Sequence, residues 1–529
     1  MASKIKVAVV GLGDIPHHAP PINPITKEIS STTGINGLAT VKNLVEAGMD
    51  VTGFDSSDSI GGLWCYTEDP RTSMCYTDFP HAEATSIFPT NSEVLDYLKS
   101  YAAHFRLESC FRLQSRVSAI KRLDDRNGWE LTITDSRSSE TTIENFDKVV
   151  MCMGNTDTPI RPEFDGLCQF KGTVLDCQTC KRTQDWKNQR ILLIGLGGTS
   201  IDIADGLVTG GNKVFISHRR GGLMVPRIFN GRTYDSSQKY SSSEAMGKFP
   251  PAQASIMVSK AMTQLQNMAY DVRPEWKLSP APPMFSKAPF VGDELYPHLK
   301  SGAVELVSGV SSIEEDGKSI KLNDERILES IDAIIFCAGY RTDYTLLGPW
   351  DPSRDNHRHS SLPGLDGQCL PRLYQGIFSL DAPQSLAFLE VYPFSVSTNI
   401  NADLASMALA QVWAGKSTLP PLEEMIRSTD EDVQLVLDWA QKGPVRPHFR
   451  NGWEWGVWCS RMAGTGLMER LSGTSWKAWW FWLWKRRQYN ILRDGFWSPH
   501  HFRVFDEGKR KPWDGAMAEI GRLNQTLHE

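Results

Sequence analysis

Apolar residues fall into two alternating rhythms near the start of the chain. Lys4 to Val10 (KIKVAVV) is a nearly unbroken apolar run, the length of a strand buried on both faces and too short for a helix. From Gly37 onward, GLATVKNLVEAG spaces its apolar residues at helical intervals. A second strand-like run, Asp50 to Phe54, then ends on Asp55. Strand, glycine turn, helix, strand and acid is the order of a dinucleotide-binding β-α-β unit. Gly11 and Gly13 permit a tight turn and close backbone approach to a pyrophosphate, and Gly37 is the third glycine of the pattern. The helix N-terminus offers free N–H groups and a positive dipole end, and Asp55 can accept from a ribose hydroxyl.

The unit is interrupted. Between Gly13 and the helix lies DIPHHAPPINPITKEISSTTG, with four prolines and no periodicity. Removing Asp14 to Gly34, 21 residues, leaves VAVVGLG-INGLATVKNL, an intact G-x-G-x-x-G. A whole number of codons whose removal repairs the motif at both ends reads as a retained short intron in the gene model. The alternative is a genuine loop bulging beside the phosphates.

Downstream, Asn91 to Phe105 carries apolar residues at helical spacing after an Asn-Ser-Glu start. Strands are expected at Val117 to Arg122, Glu130 to Thr134 and Lys148 to Met153, and Gly61-Gly62-Leu63-Trp64 is a glycine turn closed by a large aromatic. Proline-studded TDTPIRPEFDG marks the first crossing between domains. A second β-α-β unit then begins at Arg190: strand ILLIG, turn Gly195-Leu196-Gly197-Gly198-Thr199-Ser200, helix IDIADGL, and strand Lys213 to Ser217. It ends on His218-Arg219-Arg220 where the first ends on an acid. A carboxylate there would repel a 2′-phosphate, whereas guanidinium groups bind one through charged hydrogen bonds. One unit therefore fits FAD and the other NADPH. Leu223 to Pro289 gives no assignment, and strands resume at Val304 to Ser308 and at Ile331 to Cys337, closing on Cys337-Ala338-Gly339-Tyr340.

At 529 residues the chain exceeds one ordinary core, so two domains are expected. A net charge of −6 and a pI near 6.1 argue against a nucleic-acid surface. The chain enters a strand almost at once and has no apolar run of about 18 residues, so neither a signal peptide nor a spanning helix is expected. Ten scattered cysteines point to reduced thiols and a cytoplasmic location. The HRH at His357 to His359 lacks a third ligand at suitable spacing, and no metal is expected. Ten of the 17 tryptophans follow position 450, including TSWKAWWFWLWKRR. Trp479, Trp480, Trp482 and Trp484, beside Lys485, Arg486 and Arg487, suit either a membrane interface or a cap on the core, and packing is the preferred expectation.

With both nucleotide units placed, the chain resembles the flavin-containing monooxygenases along nearly its whole length. The resemblance rests on GLG…GLATVKNL, Asp55, SIGGLW, CYTEDPRTS, CYTDFP, FKG, GLGGTS with HRR, CAGY, and the LPRLYQGIF to QVWAG region. It implies an α/β fold of two Rossmann-like domains with the NADPH domain (161–335) inserted into the FAD domain (1–160 and 336–529). It also implies NADPH reducing FAD, a flavin hydroperoxide formed with O2, and one oxygen atom passing to a nitrogen, sulfur or carbonyl of a small substrate. By resemblance Gly11, Gly13, Gly37, Asp55, Gly61, Gly62 and Trp64 hold FAD, and Gly195, Gly197, Ser200, Arg219 and Arg220 hold NADPH. Catalysis rests on the flavin, with no side chain assigned as acid or base.

The chain departs from that pattern in three places. Asp176 and Cys180 replace the His and the aromatic expected after Phe170 and Gly172. Gly198 stands where Asn is usual, and a flavin-side segment between Ser73 and Cys75 is missing. The substitutions create Cys177-Gln178-Thr179-Cys180, so a thioredoxin-reductase-like dithiol enzyme using Cys177 and Cys180 is the competing expectation. A catalytically silent flavin-binding protein is the other.

Overall fold

The computed structural model describes residues 4–11, 33–62, 75–123, 128–154, 158–233, 238–283, 287–359, 361–389, 397–473 and 475–526. Most of the interposed segment, including Gly13, and the stretch with Trp64 and Ser73 lie outside the described residues.

Two mainly parallel sheets organise the chain. In the first, Lys6–Val10 lies between Asp50–Phe54 and Lys148–Met151, parallel to both. Phe111–Arg112 extends one side in parallel, and Leu386–Phe388 the other. Two short antiparallel strands, Phe378–Ser379 and Leu373–Tyr374, close that edge. This sheet draws its strands from both ends of the sequence. The second sheet runs Val304–Val307, Lys213–Ser217, Arg190–Ile194, Ala333–Phe336, Thr173–Asp176, parallel throughout. Val7 to Val10 and Ile191 to Leu193 are fully buried, as strands covered on both faces require. Where the chain passes between the sheets, Thr158–Pro159 pairs antiparallel with Tyr340–Arg341.

Helix Ile35–Glu46 crosses one face of the first sheet and packs on helix Thr398–Trp413, nearly every residue of which is buried. A buried ionic network rivets these helices to the C-terminal segment. Arg503, 1% exposed, donates from Nε to Thr77 Oγ1 at 2.7 Å and pairs through Nη2 with Asp78 at 3.0 Å. Asp403 accepts from Asn43 Nδ2 at 2.7 Å, from Thr77 N at 3.0 Å and from the Thr77 hydroxyl. Lys42 pairs with Asp78 as well. Burial opposes the Asp78 charge, but the cations of Arg503 and Lys42 outweigh it and hold its pKa below the ordinary carboxylate value. CYTDFP is thus a structural clasp, tying sequence positions more than 400 residues apart.

The Trp-rich run departs from the packing expectation. It forms helix Trp476–Trp484, in which only Ala478 is buried; Phe481 turns inward against Phe505. Trp476, Trp479, Trp480, Leu483 and Trp484 are 62–74% exposed. A nine-residue helix that is apolar almost all round can press only one stripe on the core, and the rest faces outward. Lys485, Arg486 and Arg487 beside it are exposed too, and the Arg486 guanidinium lies 5.3 Å from the Trp482 ring. Among the described residues no helix is long and apolar enough to cross a membrane.

Candidate active site

Parallel sheets of this kind bind ligands beyond the carboxyl ends of their strands, where the strand order reverses. In the second sheet that point lies between Arg190–Ile194 and Ala333–Phe336. Gly195 follows the first of these with φ +117°, and a Cβ there would meet the Cys337 carbonyl oxygen at 2.3 Å, so only glycine fits. Gly197 caps helix Gly198–Thr209. A Cβ at Gly197 or Gly198 would meet nothing within 4 Å, which leaves open space over the helix N-terminus. The Ser200 hydroxyl is bound within the turn, accepting from Gly197 N at 2.9 Å and donating to Gly197 O at 2.8 Å. Ser200 therefore shapes the turn rather than offering a free hydroxyl.

At the end of strand Lys213–Ser217 the three basic residues separate. His218 turns inward between the carbonyls of Arg220 and Trp276, where burial lowers its pKa. Arg219 and Arg220 face Asp366, at 3.3 and 2.9 Å. Arg220 also donates to Pro363 O at 2.9 Å. Lys287 completes the cluster: burial first, and then the neighbouring Arg220 charge, pull its pKa down to about 8. Three cations around one carboxylate suit a phosphate monoester, and the site fits NADPH. Sequence reasoning missed Lys287 and Asp366, because neither belongs to a periodic element.

The first sheet holds its parts in the same order, with one difference. Gly11 extends the first strand, its N–H directed to Phe54 O at 3.4 Å. Gly37 is buried in the first turn of helix Ile35–Glu46, whose N-cap Gly34 provides no side-chain hydrogen bond. Gly61 and Gly62 take φ values of +139° and +58°. Asp55 is 1% exposed, and its carboxylate is engaged by protein. Oδ2 accepts from Thr33 N at 2.7 Å, while Oδ1 accepts from Ser57 N at 2.9 Å and from the Ser57 hydroxyl at 2.7 Å. Thr33 also accepts from Gly61 N at 3.2 Å. The end of the interposed segment thus covers the acid expected to hold a ribose. Gly11 and the helix end suit the FAD pyrophosphate, and the Asp55 carboxylate expected at the ribose is taken by Thr33 and Ser57.

The CxxC does not form a simple pair. Cys177 Sγ lies 2.9 Å from Tyr340 Oη. Hydrogen bonding from Cys337 and Tyr340 outweighs burial and lowers the Cys177 pKa to about 7, whereas burial raises that of Cys180 to about 11. Asp176, at the position expected for His, accepts from Arg161 Nε at 2.8 Å.

The description "Flavin-binding monooxygenase-like" matches residues 27–443. The chain belongs to this family. It is a flavin-dependent monooxygenase that uses FAD and NADPH. "Monooxygenase aurF" of Gibberella zeae is 36% identical over 509 residues, covering 93% of this chain and 96% of that protein. Flavin-containing monooxygenase 3 of Rattus norvegicus is 28% identical, covering 92% and 90%. The fold matches S-allyl-L-cysteine S-oxygenase from Allium sativum, with TM-score 0.60, 18% identity and coverage of 99% and 98%. It also matches cyclohexanone monooxygenase from Rhodococcus sp. Phi1 bound to NADP+, with TM-score 0.58, 17% identity and coverage of 88% and 98%. The thioredoxin-reductase-like and silent readings are set aside in favour of the monooxygenase. Notably, the family match starts at residue 27, within the interposed segment, and leaves the first strand outside.

Proposed function

We propose that the chain assigns its two sheets to two nucleotides: FAD to the domain formed by 1–160 and 336–529, NADPH to the inserted domain 161–335. The observation that carries this reading is the pair of strand–glycine turn–helix units with opposite charge at their ends, Asp55 on one and Arg219, Arg220 and Lys287 on the other. FAD, when bound, supplies the oxygen chemistry. The protein's own part is to seat the pyrophosphates on the Gly11 and Gly195 turns and to grip the 2′-phosphate with its cation cluster. Asp366 must exchange its partners for that phosphate.

The substrate class is a small organic molecule with a nucleophilic sulfur or nitrogen, or a carbonyl. An S-oxygenase and a cyclohexanone monooxygenase among the structural neighbours span that range. With NADPH and 18O2, one labelled oxygen should enter a thioether, tertiary amine or cyclic ketone probe, with NADPH consumed in step. NADPH oxidation that yields no labelled product from any of the probes contradicts the reading.

The exposed face of helix Trp476–Trp484 is proposed to rest on a lipid surface, holding a cytoplasmic enzyme at a membrane. Interfacial tryptophans with adjacent cations match an anionic headgroup region, and the helix is too short to span. The full chain should float with phosphatidylserine-containing vesicles, while the Trp479→Ser/Trp480→Ser/Trp484→Ser variant should bind at least about tenfold more weakly. Equal flotation of both proteins, or a dimer in sedimentation that the variant dissolves, opposes this reading.

A further inference from the structure

Three thiols meet at the carboxyl edge of the second sheet, and the flavin chemistry makes no use of them. Strands Thr173–Asp176 and Ala333–Phe336 are parallel neighbours with Asp176 opposite Phe336, so Cys177 and Cys337 are the next residues on each. Adjacent strands lie about 4.8 Å apart, within the ~4.4–6.8 Å that separates the Cα atoms of a disulfide. The Tyr340 hydroxyl approaches the Cys177 sulfur at 2.9 Å, and the neighbouring Cys337 thiol lowers the Cys177 pKa. Those two groups stabilise a Cys177 thiolate, while Cys337, pushed well up, keeps its proton. The Cys180 N–H donates to Cys177 O at 3.3 Å, and among the described residues no hydrogen bond joins the two thiols. Cys177 is 8% exposed, and Cys337 is half-buried. The position is not incidental, because the Gly195 turn rests directly on Cys337.

We propose that Cys177 and Cys337 form a peroxide-sensitive site that closes to a disulfide on the nucleotide-binding edge of the second sheet. Hydrogen peroxide is the two-electron oxidant. The Cys177 thiolate attacks one peroxide oxygen; the S–O bond forms as the O–O bond breaks, and the departing hydroxide takes a proton to become water. The Cys337 sulfur then attacks the resulting sulfenic acid. The S–S bond forms as the S–O bond breaks, and the Cys337 proton leaves with the second water. Two thiols are oxidised and one peroxide is reduced to two waters. The site needs no flavin, so its success or failure is independent of the monooxygenase reading.

The test uses the full chain, with and without FAD, exposed to equimolar hydrogen peroxide, alkylated and mapped by mass spectrometry. A Cys177–Cys337 linked peptide is expected in both forms. Free thiols should fall from ten to eight and return on dithiothreitol treatment. The link should persist in Cys180→Ser and vanish in Cys177→Ser and Cys337→Ser. Should the serine variants fail to fold, wild type and Cys180→Ser still decide. A Cys177–Cys180 link, or full alkylation of Cys177 and Cys337 after peroxide, overturns the proposal.

Discussion

Deleting Asp14 to Gly34 tightens FAD binding by at least about a hundredfold, corresponding to roughly 3 kcal/mol. In the full chain the Thr33 N–H holds Asp55 Oδ2 at 2.7 Å, and Thr33 O is tied to Gly61 N at 3.2 Å. A ribose hydroxyl must displace these bonds from a carboxylate that is 1% exposed. Removing the segment takes Thr33 away and joins Gly13 to Ile35, so the second glycine leads directly into the helix N-terminus. Both effects favour the cofactor. Fluorescence titration of the apoproteins with FAD measures the difference. Thr33→Pro, which lacks the N–H, should recover part of the gain. Equal affinities for the full chain and the deletion variant would show that the segment is a genuine loop which the site accommodates.

Arg503→Met should cost about 3–5 kcal/mol, the usual penalty for removing one partner of a buried ion pair. Asp78 and Asp403, both buried, would lose a guanidinium in direct contact. Thermal scans at a fixed rate should show a fall of about 3–5 °C in the unfolding midpoint, the shift expected for a cooperative unit of 529 residues. The effect depends on pH in a definite direction. The folded pKa of Asp78 is depressed, so its stabilising contribution is fully present above the unfolded carboxylate pKa, about 3.9. It is lost as pH falls through the folded value. The gap between wild type and Arg503→Met should therefore narrow in acid.

The parts of the fold that could be read from sequence are those with an unambiguous rhythm. Asp50–Phe54 and Lys213–Ser217 are strands at the bounds the apolar runs predict, because a parallel strand covered on both faces is a short apolar block. Helix Asn91–His104 was equally plain, although its capping box uses Thr90 with Glu93, one residue ahead of the expected start. Helix Pro251–Ala269 gave no signal, because it buries only Ala254, Ser255 and Gln266 and so shows no apolar stripe. The Trp-rich helix failed for the opposite reason: a segment apolar on every side carries no phase to say which side is inward. Non-local partners were invisible. Nothing near Asp55 in sequence announces Thr33 across the turn. Nothing near Arg220 announces Asp366 or Lys287, and the Cys177–Cys337 register follows only from the pairing of two strands.

The central claim is that a 2′-phosphorylated nicotinamide nucleotide delivers electrons to a flavin seated on the first sheet. Anaerobic mixing of the FAD-loaded protein with NADPH or NADH, followed by flavin absorbance, tests it most directly. NADPH should bleach the flavin at concentrations at least about tenfold lower than NADH, through charged contacts worth roughly 1.5–3 kcal/mol. That preference should decline as pH rises through about 8, where Lys287 gives up its proton. Equal potency of the two nucleotides, or a flavin that stays oxidised with NADPH bound, would contradict the account.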